Sequence, residues 1–356
     1  MTEAAMALPL RGAVTRGRLA SVGLFLAATF AGLASGALVI LVTGDDPLLA
    51  YSVLFRGAFG SLYGLTETLL STTPLLFGGL AVAFAFHGGL FNIGVEGQLI
   101  VGGLVAGWAG FAIPGLPWAI HLPLALTLGM LAGSLWGALP GFLKARRGVH
   151  EVISTIMLNY VAFRFTGYMV SPEGPLKAEG QLPATPFVAE SARLLRFIPE
   201  TRFSGGIFIA LAAAAGVGYL LWGTRLGYRI RAVGKSPSAA EFGGIRAARH
   251  IVVAMTISGG LAGLAGAVEV LGLHYRFYDA FSPGYGFDAI AIALLGQLHP
   301  VGVTAAALLF GTLRAGSVKM QQAAGVSRDI VFAISGVVIF FVALRGLLAE
   351  LVKRET

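Results

Sequence analysis

Asn92, Glu96 and Gln98 place two amides and a carboxylate within one short stretch, Gly88-Gly89-Leu90-Phe91-Asn92-Ile93-Gly94-Val95-Glu96-Gly97-Gln98. These groups donate and accept hydrogen bonds, so they suit the grip and release of a polar solute. The stretch lies between two apolar runs, Glu67 to Phe86 and Leu99 to Ile113, and four glycines interrupt the hydrophobic pattern. In lipid, a broken backbone survives only where protein or a water-filled cavity satisfies its polar groups. A carboxylate at that depth marks a functional site by default. The competing reading is a glycine-rich turn between two helices, with Glu96 solvated at the surface.

The elements that must carry this stretch are membrane helices. The chain of 356 residues is 56 % hydrophobic and 12 % charged, with mean hydropathy +0.81. A soluble domain carries about twice that share of charge. The composition therefore predicts an all-α polytopic membrane protein, and the 51 glycines fit close helix packing. The absence of cysteine excludes disulfides, thiolate metal sites and cysteine nucleophiles.

Apolar runs predict spans at 19–42, 67–86, 99–113, 121–143, 150–170, 205–223, 251–273 and 329–347. Residues 288–313 read as two short segments or one kinked span. The total is about ten segments, with both termini on the inner side. Residues 1–18 form an inner N-terminal segment, 19–347 the membrane domain and 348–356 an inner tail. Residues 44–66, 171–204 and 314–328 are expected outside, and 224–250 inside. Most of the 25 Lys and Arg then fall in inner segments, which accounts for the net charge of +8 by positive-inside bias and argues against nucleic acid as a partner.

A second interruption, 274–288, is rich in aromatics and ends in Phe287 and Asp288. It follows the seventh span as 88–98 follows the second, but on the opposite side. Five segments apart with opposite orientation is the pattern of two inverted five-helix halves with broken helices, which places a solute between them. The inner loop 224–250 is basic. Within it Ser236-Pro237 starts a short helix whose small residues offer a smooth docking face.

Together these motifs resemble a known family. Gly89-Leu90-Phe91-Asn92-Ile93-Gly94-Val95-Glu96-Gly97-Gln98, Arg231-Ala232-Val233-Gly234 with Ala239-Ala240 and Gly244-Ile245, and Gly286-Phe287-Asp288-Ala289 through Gly296 are similar to the permease subunit of ABC importers for sugars, branched-chain amino acids and nucleosides. The phrase Phe-Asn-Ile-Gly-x-Glu-Gly-Gln is similar to the nucleoside branch. The resemblance implies a permease of the bacterial cytoplasmic membrane with no catalysis of its own. Arg231, Gly234, Ala239, Ala240, Gly243 and Gly244 would couple to a separate ATPase subunit, which binds ATP-Mg, since the chain has no phosphate-binding Gly-x-x-x-x-Gly-Lys-Ser/Thr loop. A second homologous permease and an external substrate-binding lipoprotein complete the assembly in the lipid. No metal or other cofactor is expected in this chain.

Phe91, Asn92, Glu96, Gln98, Phe287 and Asp288 are the candidate substrate path. Aromatics there would stack on a base and the polar groups would hold its edges or the ribose. Two other readings stay open. One is a simple-sugar permease of the same group. The other is an ion-coupled transporter with Glu96, Glu269 and Asp288 as ion sites. Glu269 reads equally as pore-lining or as a helix–helix hydrogen bonder, and His87 and Arg164 read as structural.

Overall fold

The computed structural model describes residues 29–327 continuously, with a few isolated positions on either side. Within them the chain is helical, joined by loops and two isolated bridges. The helices are α1 (Thr29–Val42), α2 (Pro47–Phe59), α3 (Leu62–His87), α4 (Val95–Ala112), α5 (Trp118–Arg147) and α6 (Glu151–Val170). After the long segment come α7 (Gly206–Gly223), α8 (Arg225–Lys235), α9 (Pro237–Phe242) and α10 (Ala247–Glu269). A π-turn, Val270–His274, extends α10, and α11 (Tyr285–Leu295) and α12 (Pro300–Ala324) follow.

Six of these helices are long and apolar enough to cross a membrane: α3, α4, α5, α7, α10 with its π-turn, and α12. The apolar helices α1, α2 and α11 are shorter. The expectation of about ten segments is therefore met only by six such helices among the described residues, and α6 is not one of them. The expected outer stretch 44–66 contains α2. The 19–42 run does end as expected, with α1 closing at Val42, and Asp46-Pro47 start α2: the Asp46 carboxylate accepts from Leu48 N–H at 2.8 Å, with Pro47 in the first turn. The expected polar stretch 314–328 is helical as far as Ala324, because α12 buries Gly316, Ser317 and Met320 there. Residues 288–313 resolve into α11 and α12, parted by Gln297 and Leu298 in left-handed conformation (φ 53° and 59°). The 1–18 segment, the first part of the 19–42 run, most of the 329–347 span and the 348–356 tail lie outside the described residues.

Small residues let the central helices touch backbone to backbone. Gly129, Gly133 and Gly137, four apart on α5, face Gly259, Gly263 and Ala267 on α10. A Cβ on Gly137 would stand 2.9 Å from the Gly259 Cα, so that contact tolerates no side chain. Further contacts fix directions. Gly102 of α4 meets Gly263, and Gly107 meets Val270, so α4 and α10 ascend together. Gly78 of α3 meets Ala289, and His87 bonds the Leu298 carbonyl, so α11 descends alongside α3.

Candidate functional site at the two helix breaks

The first break begins where α3 ends at His87, yet Val95 at the start of α4 packs back against Gly78. Nine helical residues separate Gly78 from His87, a climb of about 14 Å at 1.5 Å per residue. Residues 88–94 therefore re-enter the protein, and α4 starts part-way along α3. The second break does the same in the opposite sense. After the π-turn, residues 275–284 lead to α11, which also starts beside Gly78: the Tyr285 carbonyl and Ala289 Cβ both face that glycine. The helices α4 and α11 thus begin at one place and run apart.

Glu96 joins them. Its carboxylate lies in the first turn of α4 and accepts the Gly286 N–H at 2.5 Å. The Ser282 hydroxyl is a further hydrogen-bond partner. Glu96 is 2 % exposed. The solvated reading of this residue does not match its place, because burial leaves only protein groups around it.

Asn92 and Gln98 pair with each other. Asn92 Nδ2 donates to Gln98 Oε1 at 2.9 Å and to Ser258 Oγ at 2.8 Å, and Asn92 Oδ1 accepts from Gln98 Nε2 and Gly94 N–H. Ser258 in turn donates to the Ala81 carbonyl of α3 at 2.6 Å. Asn159 on α6 ties down the other flank, donating to the Ile93 carbonyl and accepting from Gly97 N–H, each at 2.9 Å. Every polar group of the re-entrant turn named here has a partner, as a turn at this depth requires.

The remaining path candidates sit nearer the surface of the fold. Phe91 is half-buried, edge-on to Phe86 at 5.0 Å. Phe287 is exposed. Asp288 forms an ion pair with Arg314 of α12 at 2.9 Å, and Arg314 also lies over the Tyr285 ring. Arg314 borders a cleft of ≈ 490 Å³ between α2, α3 and α12, with Arg56, Glu67 and Arg202 on its wall. Glu96 and the Asn92–Gln98 pair are thus both buried but held by separate partners, α11 for Glu96 and Ser258 of α10 for the amides, while Phe91, Phe287 and Asp288 are less buried.

The long segment 171–204 is pinned over the second break. Thr185 N–H donates to the Phe277 carbonyl and Val188 N–H to Tyr275, each at 2.8 Å, and Leu194 N–H reaches the Leu271 carbonyl at 3.0 Å. Its end is held to α3 by Arg202, which pairs through two nitrogens with Glu67.

The basic loop reaches the first break directly. Gly89 is left-handed (φ +72°), and a Cβ there would lie 2.9 Å from Gly234 Cα. Gly234 on α8 is thus in backbone contact with the re-entrant turn. Arg231 lies over the Trp222 ring, which stands between His87 and His299. The expected helix start at Ser236-Pro237 is present: Ser236 Oγ accepts from Ala239 N–H. Ala240 is buried with Val233 and Ala247, whereas Ala239, Gly243 and Gly244 are exposed. Phe242, at the tip, is 95 % exposed.

Sequence reasoning passed over Ser258, Asn159, Ser282, Gly286 and Arg314 as supports, and Phe242 as a surface feature. Gly286 stood inside a quoted motif and Phe242 inside the basic loop 224–250. The others sit singly within ordinary helical or loop context and carry no local signal. Among the described residues no group of three or more His, Asp or Glu is gathered as a metal site would require.

Residues 64–343 match the family described as the branched-chain amino acid transport system / permease component. The chain is 44 % identical to the guanosine ABC transporter permease protein NupP of Bacillus subtilis, over 92 % of this chain and 96 % of that one. It is 33 % identical to the nucleoside ABC transporter permease protein NupB of Lactococcus lactis subsp. cremoris, over 90 % of each. It is 35 % identical to the glucose ABC transporter permease protein TsgB13 of Haloferax volcanii, over 87 % of this chain and 84 % of that one. No solved structure matches it.

Proposed function

Because the chain belongs to the branched-chain amino acid transport system / permease component family, we propose that it is the membrane-spanning subunit of an ATP-driven ABC importer that carries nucleosides inward. The observation that carries the substrate class is the near full-length similarity to two permeases whose names specify guanosine and nucleosides. An external binding lipoprotein delivers the nucleoside, and a second homologous permease completes the path in the bacterial cytoplasmic membrane, with both termini of this chain inside. An ATPase subunit binds ATP-Mg and docks on 224–250 through Arg231, Gly234, Ala239, Ala240, Gly243 and Gly244. Phe91, Asn92, Glu96, Gln98, Phe287 and Asp288 form or brace the path.

The mechanism follows from the contacts at the breaks. Nucleotide-driven movement of α8 and α9 acts on the re-entrant turn through Gly234 and Gly89. Re-entrant turn, α4 and α11 are joined through Glu96 and Gly286, so they shift as one body between outward-facing and inward-facing packings. The buried amide pair keeps the turn intact during that shift. Passage demands release, so the path binds more weakly than the delivering protein.

The Haloferax relative favours a second reading, import of a simple sugar. Reconstitution of the whole importer in liposomes separates the possibilities. ATP-dependent uptake of labelled nucleoside, competed by unlabelled nucleosides and not by glucose or pentoses, is the expected result. Uptake of sugar alone would move the chain to the second reading. Accumulation by this chain without an ATPase, driven by an ion gradient, would overturn both.

A further inference from the structure

Glu269 is a buried carboxylate for which the mechanism above has no use. It closes α10, is 2 % exposed, and its Oε2 accepts no hydrogen bond. His274 Nε2 lies 3.6 Å from that oxygen, beyond hydrogen-bond distance. A buried acceptor left unfilled is costly, and such groups persist where function needs them. The backbone here is also unusual. Val270–His274 forms a π-turn, a feature frequent at functional sites, and Tyr275 and Ala280 follow in left-handed conformation.

Aromatic rings crowd the same place. His274 meets Tyr278 edge-on at 5.0 Å and Phe281 at 6.0 Å, and Phe281 meets Phe277 at 5.3 Å. Tyr285 opens α11, one residue from the Gly286 that Glu96 holds. The unfilled Oε2 therefore lies where α10 gives way to the second break, and neighbouring Val270 meets Gly103 and Gly107 midway along α4.

A carboxylate only accepts, and its two oxygens suit two parallel N–H donors. Flat rings beside such an acceptor suit a planar heterocycle. Guanine presents two adjacent donors, N1–H and the 2-amino group. Hypoxanthine presents one, and adenine turns its N1 lone pair towards the carboxylate. We propose that Glu269, beside His274 and the Tyr278 and Phe281 rings that pack on it, reads the base edge of the nucleoside in transit and favours guanine over hypoxanthine over adenine. This rests on the nucleoside-importer reading and adds the base preference and the residue that sets it.

The test uses the complete importer with a binding protein loaded beforehand, so that delivery is equal for each nucleoside. Glu269→Gln keeps the volume but replaces one acceptor by a donor. Guanosine turnover is expected to fall about tenfold, as for a lost charged hydrogen bond, while adenosine turnover holds or rises. Equal loss for both, or no change, overturns the proposal and makes Glu269 a packing residue. A second measurement needs no variant: wild-type turnover of 1-methylguanosine, which lacks the N1–H, should be at least about fivefold slower than that of guanosine. Equal turnover would likewise overturn it. Failure of the wild-type importer to move any nucleoside is a separate result, and it counts against the importer reading itself.

Discussion

Glu96 accepts the backbone N–H of Gly286 at 2.5 Å, across 190 residues of sequence. The first N–H groups of any helix lack internal partners, and α11 starts from Gly284, which has no side chain to cap it. Glu96 supplies the missing acceptor from another helix. It also sits in the first turn of its own helix, so one carboxylate serves the positive ends of both α4 and α11.

Glu96→Ala therefore removes a cap and leaves a buried N–H without an acceptor. The expected cost is about 1–3 kcal/mol, read as a lower melting temperature of the purified complex in detergent. Glu96→Gln keeps an acceptor for Gly286 and should lose much less stability. Its uptake should fall more than its membrane level, because the charge at the paired helix ends is gone. An alanine variant as stable as wild type would remove the capping role.

The Asn92–Gln98 pair makes a sharper case for scaffolding. Each amide holds the other, and Asn92 also holds Ser258 and Gly94. Asn92→Ala should cost about 1–3 kcal/mol, and Gln98→Ala somewhat less. The double variant should cost clearly less than the sum, since each single change strands the other amide and the double variant leaves neither stranded. A double-mutant cycle on thermal stability checks this, and strict additivity would show that the two amides act separately.

Gly89 and Gly234 test the link between loop and turn. Gly89 is left-handed, and a Cβ on it meets Gly234 Cα and carbonyl oxygen at 2.9 Å. Gly234→Ala pushes α8 away from the turn without touching the buried amide pair. The complex should assemble and hydrolyse ATP, while substrate-dependent stimulation and uptake fall at least about fivefold, since small overpacking shifts of packed backbone cost of order 1–3 kcal/mol. Coupling indistinguishable from wild type would place the transmission path elsewhere.

How much of this was legible beforehand depends on range. The re-entrant turn announced itself because four glycines and three polar side chains interrupt an apolar run. The Ser236-Pro237 helix start was legible for the same local reason. The meeting of Glu96 with Gly286 was not, because nothing near either residue encodes a contact formed by two helix starts converging. Asp45-Asp46-Pro47 follow the end of α1, as the 19–42 span requires, but the start of α2 was missed because an acidic residue before proline both ends one helix and caps the next. The polar residues of α12 beyond Leu313 looked like a loop because one buried stripe was enough to keep them helical.

Phe242 gives the most direct test of the docking face. It projects from the end of α9 at 95 % exposure, beside exposed Ala239 and Gly243 and next to a cleft of ≈ 840 Å³ bordered by Arg146, Gly244 and Arg249. A large apolar side chain held clear of its own fold, with small neighbours and a basic rim, has the form of an anchor for a partner's pocket. Phe242→Ser touches no buried contact, so membrane level and melting temperature should be unchanged. Binding of the ATPase subunit should weaken by about 2 kcal/mol or more, roughly thirtyfold, as for loss of an aromatic anchor. Titration of the purified ATPase onto the permease in nanodiscs measures this directly. Ala240→Arg offers a contrast, because Ala240 is buried with Val233 and Ala247, so that change should lower stability as well as docking. If Phe242→Ser binds the ATPase as wild type does, the partner engages another part of the 224–250 loop.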